Sequence, residues 1–178
     1  MADDLIPSPE TFDVGAEFRF KAAQAAIRRE CGWHVAPSVT HTIRLDGTGG
    51  TTLLLPSKHV TAIDSLLLDG VEHVRDLRWS TAGSMVLTGG VRFPDLPGGI
   101  EVTLTDGWEL DEVPDVQMIM LDIAARVMSA PGTVASQSTN GSSVTYRSSA
   151  DGGVPNVALF ASERQALAPY RLSWGAKP

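Results

Sequence analysis

The sequence predicts an α+β fold in which a small helical bundle serves as scaffold, an antiparallel β-rich module is inserted into it, and an extended C-terminal tail follows. Apolar residues recur at helical spacing near both ends of the chain, short apolar runs separated by turn residues fill its middle, and no helical stripe follows Tyr170. The predicted domains are a helical core over 1–34 and 113–170, an inserted β module over 35–112, and a tail over 171–178.

The first helix is predicted over 14–30, where an alanine-rich stretch favours helix intrinsically. Asp13 is a suitable N-cap, and Gly32 stands where a left-handed residue ends many helices. One apolar stripe is formed by Ala16, Phe20, Ala23, Ile27 and Cys31. We therefore expect the Cys31 thiol to be a buried structural group rather than a reactive one.

The middle of the chain has the pattern of short antiparallel strands. Six strand candidates are 41–45, 51–55, 60–68, 77–79, 85–88 and 100–105. The segment 46–50, Asp-Gly-Thr-Gly-Gly, predicts a hairpin turn between the first two strands, and Asp69-Gly70 predicts a turn after the third. Turn signals at intervals of roughly ten residues predict a small antiparallel sandwich or barrel.

Helical spacing returns after Pro114, which suits a first helical turn because its missing N–H donor is not needed there. The second apolar stripe is formed by Val116, Ile119, Met120, Ile123 and Val127. Pro131-Gly132 is expected to end this helix. Because the two helices flank the β module in the sequence, we expect them to pack together while the module projects from them.

The C-terminal third is predicted to contain a ribbon and a short helix. Ser and Thr are frequent over 133–149, and Asn140-Gly141 predicts the turn of a two-stranded ribbon. Ser162 and Gln165 have capping-box spacing, which predicts a last short helix. Pro169 is expected to terminate it.

Composition excludes several classes of function. A formal net charge of −7 argues against broad binding of nucleic acid, which requires a basic surface that neutralises phosphates. The single cysteine excludes an intrachain disulfide and suits a reducing cytoplasm. The first residues have neither the basic nor the apolar region of a signal peptide, and no apolar run has the length of a membrane helix. We therefore expect synthesis in the cytoplasm and no membrane partner.

No motif predicts catalysis, a cofactor or a metal. Cys31 and His34 have the spacing of two zinc ligands, but a structural site needs four and no second close pair exists. The serines of the ribbon lack the Gly-x-Ser-x-Gly elbow of hydrolases. Acidic residues cluster at Glu109, Asp111, Glu112 and Asp115, where capping and the helix dipole explain them. We therefore expect no catalytic, cofactor-binding or metal-binding residues, and no enzymatic activity.

Three stretches carry a resemblance to a known family. They are 22–37, with its Cys-Gly-Trp-His turn; 47–57 with the strand that reaches 69–70; and a closing pattern of Ala125-Arg126, the ribbon to Tyr146, and 163–172 with its Ala-Pro-Tyr-Arg. In this order they resemble the head-to-tail adaptor, or connector, family of tailed phages, especially phages of actinobacteria. The resemblance covers most of the chain, although the β module departs from the minimal all-helical adaptor.

The resemblance implies a structural protein of the virion neck. Neighbouring copies in that family assemble head-to-tail into a ring, usually of twelve, that docks under the portal protein and meets a stopper or tail-completion protein. The ring extends the channel through which double-stranded DNA passes without sequence-specific binding. In relatives, C-terminal segments reach onto the portal, so the candidate portal and assembly contacts are Tyr170, Arg171, Leu172 and Trp174. Trp174 has the alternative of folding back onto its own core.

Two further interpretations stay open. A carbohydrate- or peptide-binding β module of a tail-associated protein should present a solvent-facing aromatic platform, for which Trp79 and Trp108 are the candidates. A small hydrolase should bring a histidine and a carboxylate together in a pocket. An adaptor should instead have its most adhesive surface on its helices and tail. A further hypothesis assigns the acidic balance to the channel, because a negative wall repels phosphate.

Overall fold

A computed structural model describes residues 16–129, 136–139, 142–145 and 157–173. The predicted α+β class is confirmed, because helices and antiparallel strands both occur. The helices are α1 (Ala16–Cys31), α2 (Pro114–Ser129) and α3 (Ala161–Leu167). The strands are β1 (Val39–Leu45), β2 (Thr52–Leu54), β3 (Val60–Leu68), β4 (Val71–Glu72), β5 (Leu77–Trp79), β6 (Ser84–Leu87), β7 (Ile100–Asp106), β8 (Ser136–Thr139) and β9 (Ser142–Thr145). None of the helices in these ranges is long and apolar enough to cross a membrane.

The chain divides into two compact units. The helical unit contains, of the described residues, 16–27, 115–129, the two strands β8 and β9, and 157–166. The β unit contains 28–114 and 167–173, so the last described residues group with the strands. The predicted domain bounds, and a scaffold of helices from which the module projects, stay predictions.

Two antiparallel sheets make up the β unit. One has the strand order β1-β7-β3-β4 and the other the order β2-β6-β5. Side chains from both sheets enter one hydrophobic core, which includes Leu66 and Leu104 of the first sheet, Met85 of the second, and Phe93 of the connection between them. The small antiparallel sandwich that the sequence predicts is therefore present.

The predicted hairpin at 46–50 is wrong. β1 pairs with β7 and β2 pairs with β6, so the segment between β1 and β2 crosses from one sheet to the other. It runs beside residues 93–98 instead, where Gly47 N donates to Leu96 O over 3.0 Å and Gly98 N donates to Asp46 Oδ1 over 2.8 Å. A Cβ at Gly47 would overlap the Pro94 carbonyl, so this glycine permits close approach of two backbones rather than a tight turn.

The turn predicted at Asp69-Gly70 is confirmed. Both residues have positive φ, 50° and 82°, and they join β3 to the two-residue strand β4, which the sequence pattern does not predict because it is so short. The Glu72 carboxylate fastens this hairpin. It accepts hydrogen bonds from Ser65 Oγ, Leu66 N and Val74 N at 2.8, 3.0 and 3.0 Å.

Helix α1 ends where the sequence predicts. Gly32 has φ 81° and donates its N–H to Arg28 O over 2.8 Å, as a left-handed residue after a helix does. The predicted stripe is buried at Ala23, Ile27 and Cys31, whereas Ala16 is exposed. The expected N-cap Asp13 lies outside the described residues.

Helix α2 begins at Pro114, as predicted, and buries Val116, Ile119 and Ile123. It ends at Ser129, while Pro131-Gly132 lies outside the described residues. The predicted ribbon is confirmed by the antiparallel pairing of β8 with β9, in which Thr139 lies opposite Ser142. Its predicted turn, 140–141, is also outside them.

Helix α3 corrects the predicted capping box. It starts at Ala161, so Ser162 lies inside the helix and Glu163 is its third residue. Glu163 Oε2 accepts the N–H of Phe160 over 2.7 Å, which is the N3-to-N-cap half of a capping box. Glu163 also forms a bidentate pair with Arg126 of α2, at 2.7 and 3.2 Å, and the Arg126 guanidinium lies 4.1 Å from the centre of the Phe160 ring. Helix α3 ends at Leu167, and Pro169 follows it within a 3₁₀ turn, Ala168–Tyr170, so the predicted end of the helix at this proline is confirmed.

Candidate functional site

The ends of three strands meet at one end of the larger sheet. Asp106, the last residue of β7, lies opposite Val39 at the start of β1 and opposite Val60 at the start of β3. Just beyond, Gly107 N donates to His59 O and Trp108 N donates to Val35 O, each over 2.9 Å. The segments that precede β1 and β3 are therefore hydrogen-bonded, at this end of the sheet, to the segment that follows β7.

Four rings pack together here, and we call them the ring cluster: Trp33, His59, Trp108 and Tyr170. Trp108 is their centre. Its ring lies 5.2 Å from Trp33, is stacked on His59 at 4.7 Å, and meets Tyr170 edge-on at 5.2 Å. Aromatic pairs in such arrangements add about 0.5–1.5 kcal/mol each beyond the burial of their area.

The ring cluster holds the C-terminal segment against the β unit. Trp33 Nε1 donates to the Tyr170 carbonyl over 2.7 Å, and Leu172 N donates to the Cys31 carbonyl over 2.9 Å. Between them, Arg171 Nε lies 3.4 Å from Glu30 Oε1. Three successive residues of the segment are therefore tied to the last turn of α1 and to Trp33 just after it.

These three residues are among the four that the sequence marks as portal contacts. Tyr170, Arg171 and Leu172 are each partly exposed, so the structure shows an anchoring contact within the chain and leaves part of each side chain accessible. Trp174 lies outside the described residues. The portal contact of all four stays a prediction.

Cys31 is buried, as predicted. Its side chain is inaccessible, and burial raises the pKa of its thiol to about 11. The group is therefore a neutral thiol at neutral pH, and a thiol of this kind is a poor nucleophile and a poor metal ligand. Within the described ranges, no group of three or more His, Cys, Asp or Glu side chains is arranged to hold a metal ion.

Beside the ring cluster, two imidazoles face one buried carboxylate, and we call this set the Asp106 cluster: His34, His41 and Asp106. Oδ1 of Asp106 lies 3.6 Å from His34 Nε2 and 3.6 Å from His41 Nδ1. The carboxylate is almost completely buried, and neither its Oδ1 nor His41 Nδ1 has a hydrogen-bond partner. His34 Nε2 lies 3.2 Å from the Asp106 backbone oxygen, to which it donates when protonated.

Glycine at position 107 allows the close packing here. Its φ is 100°, and a Cβ would lie 2.6 Å from Pro37 O and 2.7 Å from His34 Nε2. Any other residue would therefore push His34 away from Asp106 and strain the turn into Trp108.

Sequence reasoning did not predict that these histidines meet a carboxylate. One signal was available, because Asp106 continues the inward-facing alternation of Ile100, Val102 and Leu104 along β7. A carboxylate at an inward position indicates a buried polar site. The proximity of His34 and His41 could not be read from their spacing, since it depends on strand pairing.

A ligand-binding module is expected to present Trp79 and Trp108 to solvent as an aromatic platform. Trp108 does not have this role. Trp108 packs inside the ring cluster, whereas Trp79 of β5 is 38% exposed. The acidic residues Glu109 and Glu112 form a capping box around a short 3₁₀ helix, which is the structural role that the sequence predicts for them.

These features define an α+β protein with a two-sheet sandwich and a C-terminal segment anchored at one end of it. The fold is similar to that of a chain in the neck of a native gene transfer agent (GTA) particle computed with C12 symmetry, with a TM-score of 0.58, 18% identity, and coverage of 95% of this chain and 89% of that chain. It is also similar to a chain in the neck of an empty GTA particle computed with C6 symmetry, with a TM-score of 0.54, 19% identity, and coverage of 92% and 81%. No family model and no curated protein matches the sequence.

Proposed function

We propose that this protein is a head-to-tail adaptor subunit of a virion neck. In this role copies form a ring between the portal protein and a stopper or tail-completion protein, and the ring surrounds the channel for double-stranded DNA. The protein acts as a structural component rather than as an enzyme, and it is made in the host cytoplasm before assembly.

The observation that carries the proposal is the shared fold. The likeness to the two neck chains extends over more than nine-tenths of this chain, so it includes both the helices and the inserted sandwich. Those particles' necks were solved with C12 and C6 symmetry, which agrees with a ring of identical subunits. The resemblance of the sequence to phage adaptors points to the same role.

The anchored C-terminal segment supports two different roles along the tail, one in holding its base to the β unit and one in binding the portal. Tyr170, Arg171 and Leu172 hold the base of the tail, and Trp174 follows two residues after the last anchoring contact. We therefore assign the portal contact mainly to Trp174, since a large aromatic side chain close to a fixed point loses little entropy when it enters a partner's pocket.

The acidic balance of the chain agrees with a channel through which DNA passes. A net charge of −7 per subunit is multiplied by the number of copies in a ring, and a negative wall repels phosphates and prevents adhesion. Neutralising the acids that face the lumen should slow DNA exit, measured as ejection kinetics from assembled particles. Unchanged ejection would remove this part of the proposal.

The first experiment is the mass and particle shape of the purified protein, alone and mixed with the portal from the same genome. We expect a monomer alone and a ring on the portal. A protein that stays monomeric and never binds the portal contradicts the adaptor role. In that case, a ligand screen against the sandwich would test the alternative of a carbohydrate- or peptide-binding tail protein, with exposed Trp79 as the first residue to mutate.

The tail contact is tested by Trp174→Ala in the same assay. We expect at least about a tenfold loss of portal affinity, which corresponds to about 1.4 kcal/mol. Trp79→Ala removes a partly exposed tryptophan of the β unit and serves as the matched control, with unchanged portal binding. Equal binding by both variants would place the portal contact elsewhere.

A further inference from the structure

Helix α2 has two apolar faces, although a helix at the surface of a single subunit needs only one. Its buried face is formed by Val116, Ile119 and Ile123. On the other side, Met118 is 58% exposed and Leu121 is 47% exposed, and they lie one turn apart. Large apolar side chains exposed side by side indicate a surface that a partner covers.

Helix α1 also has an exposed face with mixed character. Phe18 is 44% exposed, and exposed positions continue along the same side of the helix at Lys21, Ala25 and Arg29. Lys21 is paired with Glu17 over 2.7 Å, and both side chains remain largely accessible. This face therefore combines one aromatic ring with two basic groups, Lys21 and Arg29, and one acidic group, Glu17, so that its net charge is positive.

The two faces have opposite charge. The exposed positions of α2 as far as Ala125 include Asp115 and Asp122 and no basic residue. Arg126, the next basic group on α2, is mostly buried and is paired with Glu163. An acidic apolar face and a basic apolar face on the same chain are complementary, which suits a head-to-tail contact between two identical copies.

We propose that the exposed face of α2 in one copy packs against the exposed face of α1 in the next copy, and that this contact closes the ring. The inference rests on the proposed function, because it names the surfaces that join neighbouring subunits. At the apolar centre of this contact, Met118 and Leu121 of one copy meet Phe18 of the next copy. At the edge of the contact, Asp122 lies opposite Lys21 or Arg29.

The small size of the two faces explains why a template is needed. About four to six exposed residues on each helix are fewer than the roughly 20–30 residues per side of a stable complex. Two free copies would therefore associate weakly. On a portal, the neighbours are held at high effective concentration and every copy makes the contact twice, so the ring closes.

Charge reversal in the full-length chain tests the pairing. Asp122→Lys and Lys21→Glu are made singly and together, and native mass spectrometry and electron microscopy count the copies on portals from the same genome. Each single change creates like-charge neighbours, so we expect about a tenfold or greater loss of complete rings. The double variant restores opposite charges and should recover rings to within about threefold of the wild type.

Asp64→Lys and Arg78→Glu are the matched controls, because each makes the same type of charge change at an exposed position of the β unit. Both should form rings as the wild type does. Single variants that also form normal rings would overturn the α1–α2 contact while leaving the adaptor role intact. Failure of the double variant to recover rings would overturn it as well.

The apolar centre is tested by Met118→Ser combined with Leu121→Ser. Circular dichroism and the thermal midpoint should match the wild type, because these side chains are exposed. Ring formation should be lost while a single copy still binds the portal. If binding of the first copy is lost instead, this face contacts the portal and the inference fails. If the wild type itself forms no ring on the portal, the proposed function fails first.

Discussion

The β unit covers its large side chains with one another, whereas the helical unit leaves several of its own exposed. In the β unit, Trp33 and Trp108 pack together, and core residues from two sheets share one interior. Its most exposed apolar residues, Val71, Leu96 and Leu110, lie in three different segments of the chain. In the helical unit, Met118 and Leu121 are neighbours on one helix.

Scattered apolar residues are normal on any protein surface, but adjacent ones on one helix face call for a partner. The β unit therefore buries its large apolar side chains against one another, and it also fixes the base of the tail. In the contact that we propose, the helical unit offers the surface to other copies. Changes to the two units should have different consequences, and the predictions below use that difference.

The largest effect on stability is expected from Trp108→Ala, because this ring is the centre of the ring cluster. It should lower the free energy of unfolding by about 3 kcal/mol, measured by urea denaturation. Trp79→Ala, which removes a partly exposed tryptophan of the same unit, should cost less than about 1 kcal/mol. Similar losses for the two variants would mean that the ring cluster contributes no more than an ordinary surface contact.

The next effect is expected from Arg126→Ala in the helical unit. Its bidentate pair with Glu163 has side chains only 13% and 12% exposed, so the substitution leaves a nearly buried carboxylate without its cation. We expect a loss of about 2 kcal/mol in the free energy of unfolding. The double variant Arg126→Met with Glu163→Leu should lose less, because no unpaired charge remains. A double variant as unstable as the single one would show that loss of the hydrogen bond from Phe160 N to Glu163 offsets the gain from removing the unpaired charge.

The sequence predicts the parts of this structure that depend on local spacing. The end of α1 follows from Gly32 and the start of α2 from Pro114, and Asp69-Gly70 predicts a turn from its tolerance of positive φ. The segment 46–50 misled because its glycines suit a tight turn equally well. The actual role of Gly47 is close approach to residue 94, and that neighbour is distant in the sequence.

The candidate site was only partly predictable for the same reason. Tyr170, Arg171 and Leu172 are predicted as portal contacts, and that prediction stays open. Their contacts within the chain, with residues 30–33 and 108, could not be predicted because the fold sets them. The Asp106 cluster joins residues from two strands and a connection, so no spacing reveals it. The one sign of this cluster in the sequence is that Asp106 occupies a position on β7 that alternation predicts to face inward.

A smaller effect is expected from Leu172→Ala, which weakens the contact of the tail base with residues 31 and 32. We expect a loss of about 1 kcal/mol, since the side chain is only partly buried. The sharper measurement is the rate at which a thiol reagent labels Cys31. Labelling should be slow in the wild type, where burial raises the pKa of the thiol to about 11, and several-fold faster in the variant. Ser173→Ala, at an exposed position next to it, is the control and should not change the rate. An unchanged rate in Leu172→Ala would mean that the tail base does not cover the thiol.

The smallest effect is expected at Glu72, which fastens the β3–β4 hairpin at the edge of the β unit. Hydrogen bonds from Leu66 N and then Ser65 Oγ lower the pKa of this carboxyl from its ordinary value of 4.5. Because the pKa is lower in the folded state, the carboxylate stabilises the fold fully above pH 4.5, and this contribution is lost as the pH falls through the lowered value. The group is almost fully exposed, so solvent screening keeps the effect small.

Glu72→Gln should therefore lower the urea midpoint slightly at pH 7, and the difference from the wild type should shrink as the pH falls below 4.5. Asp64→Asn, which removes an exposed carboxylate from β3 itself, is the control for the change in net charge. A difference that stays constant with pH would assign the effect to hydrogen-bond geometry rather than to the charge. The hairpin belongs to the β unit and not to the faces of Met118 and Phe18 that we propose to join copies. Neither variant should therefore alter ring formation on a portal. A defect in rings at Glu72→Gln would mean that the β unit also contacts neighbouring copies.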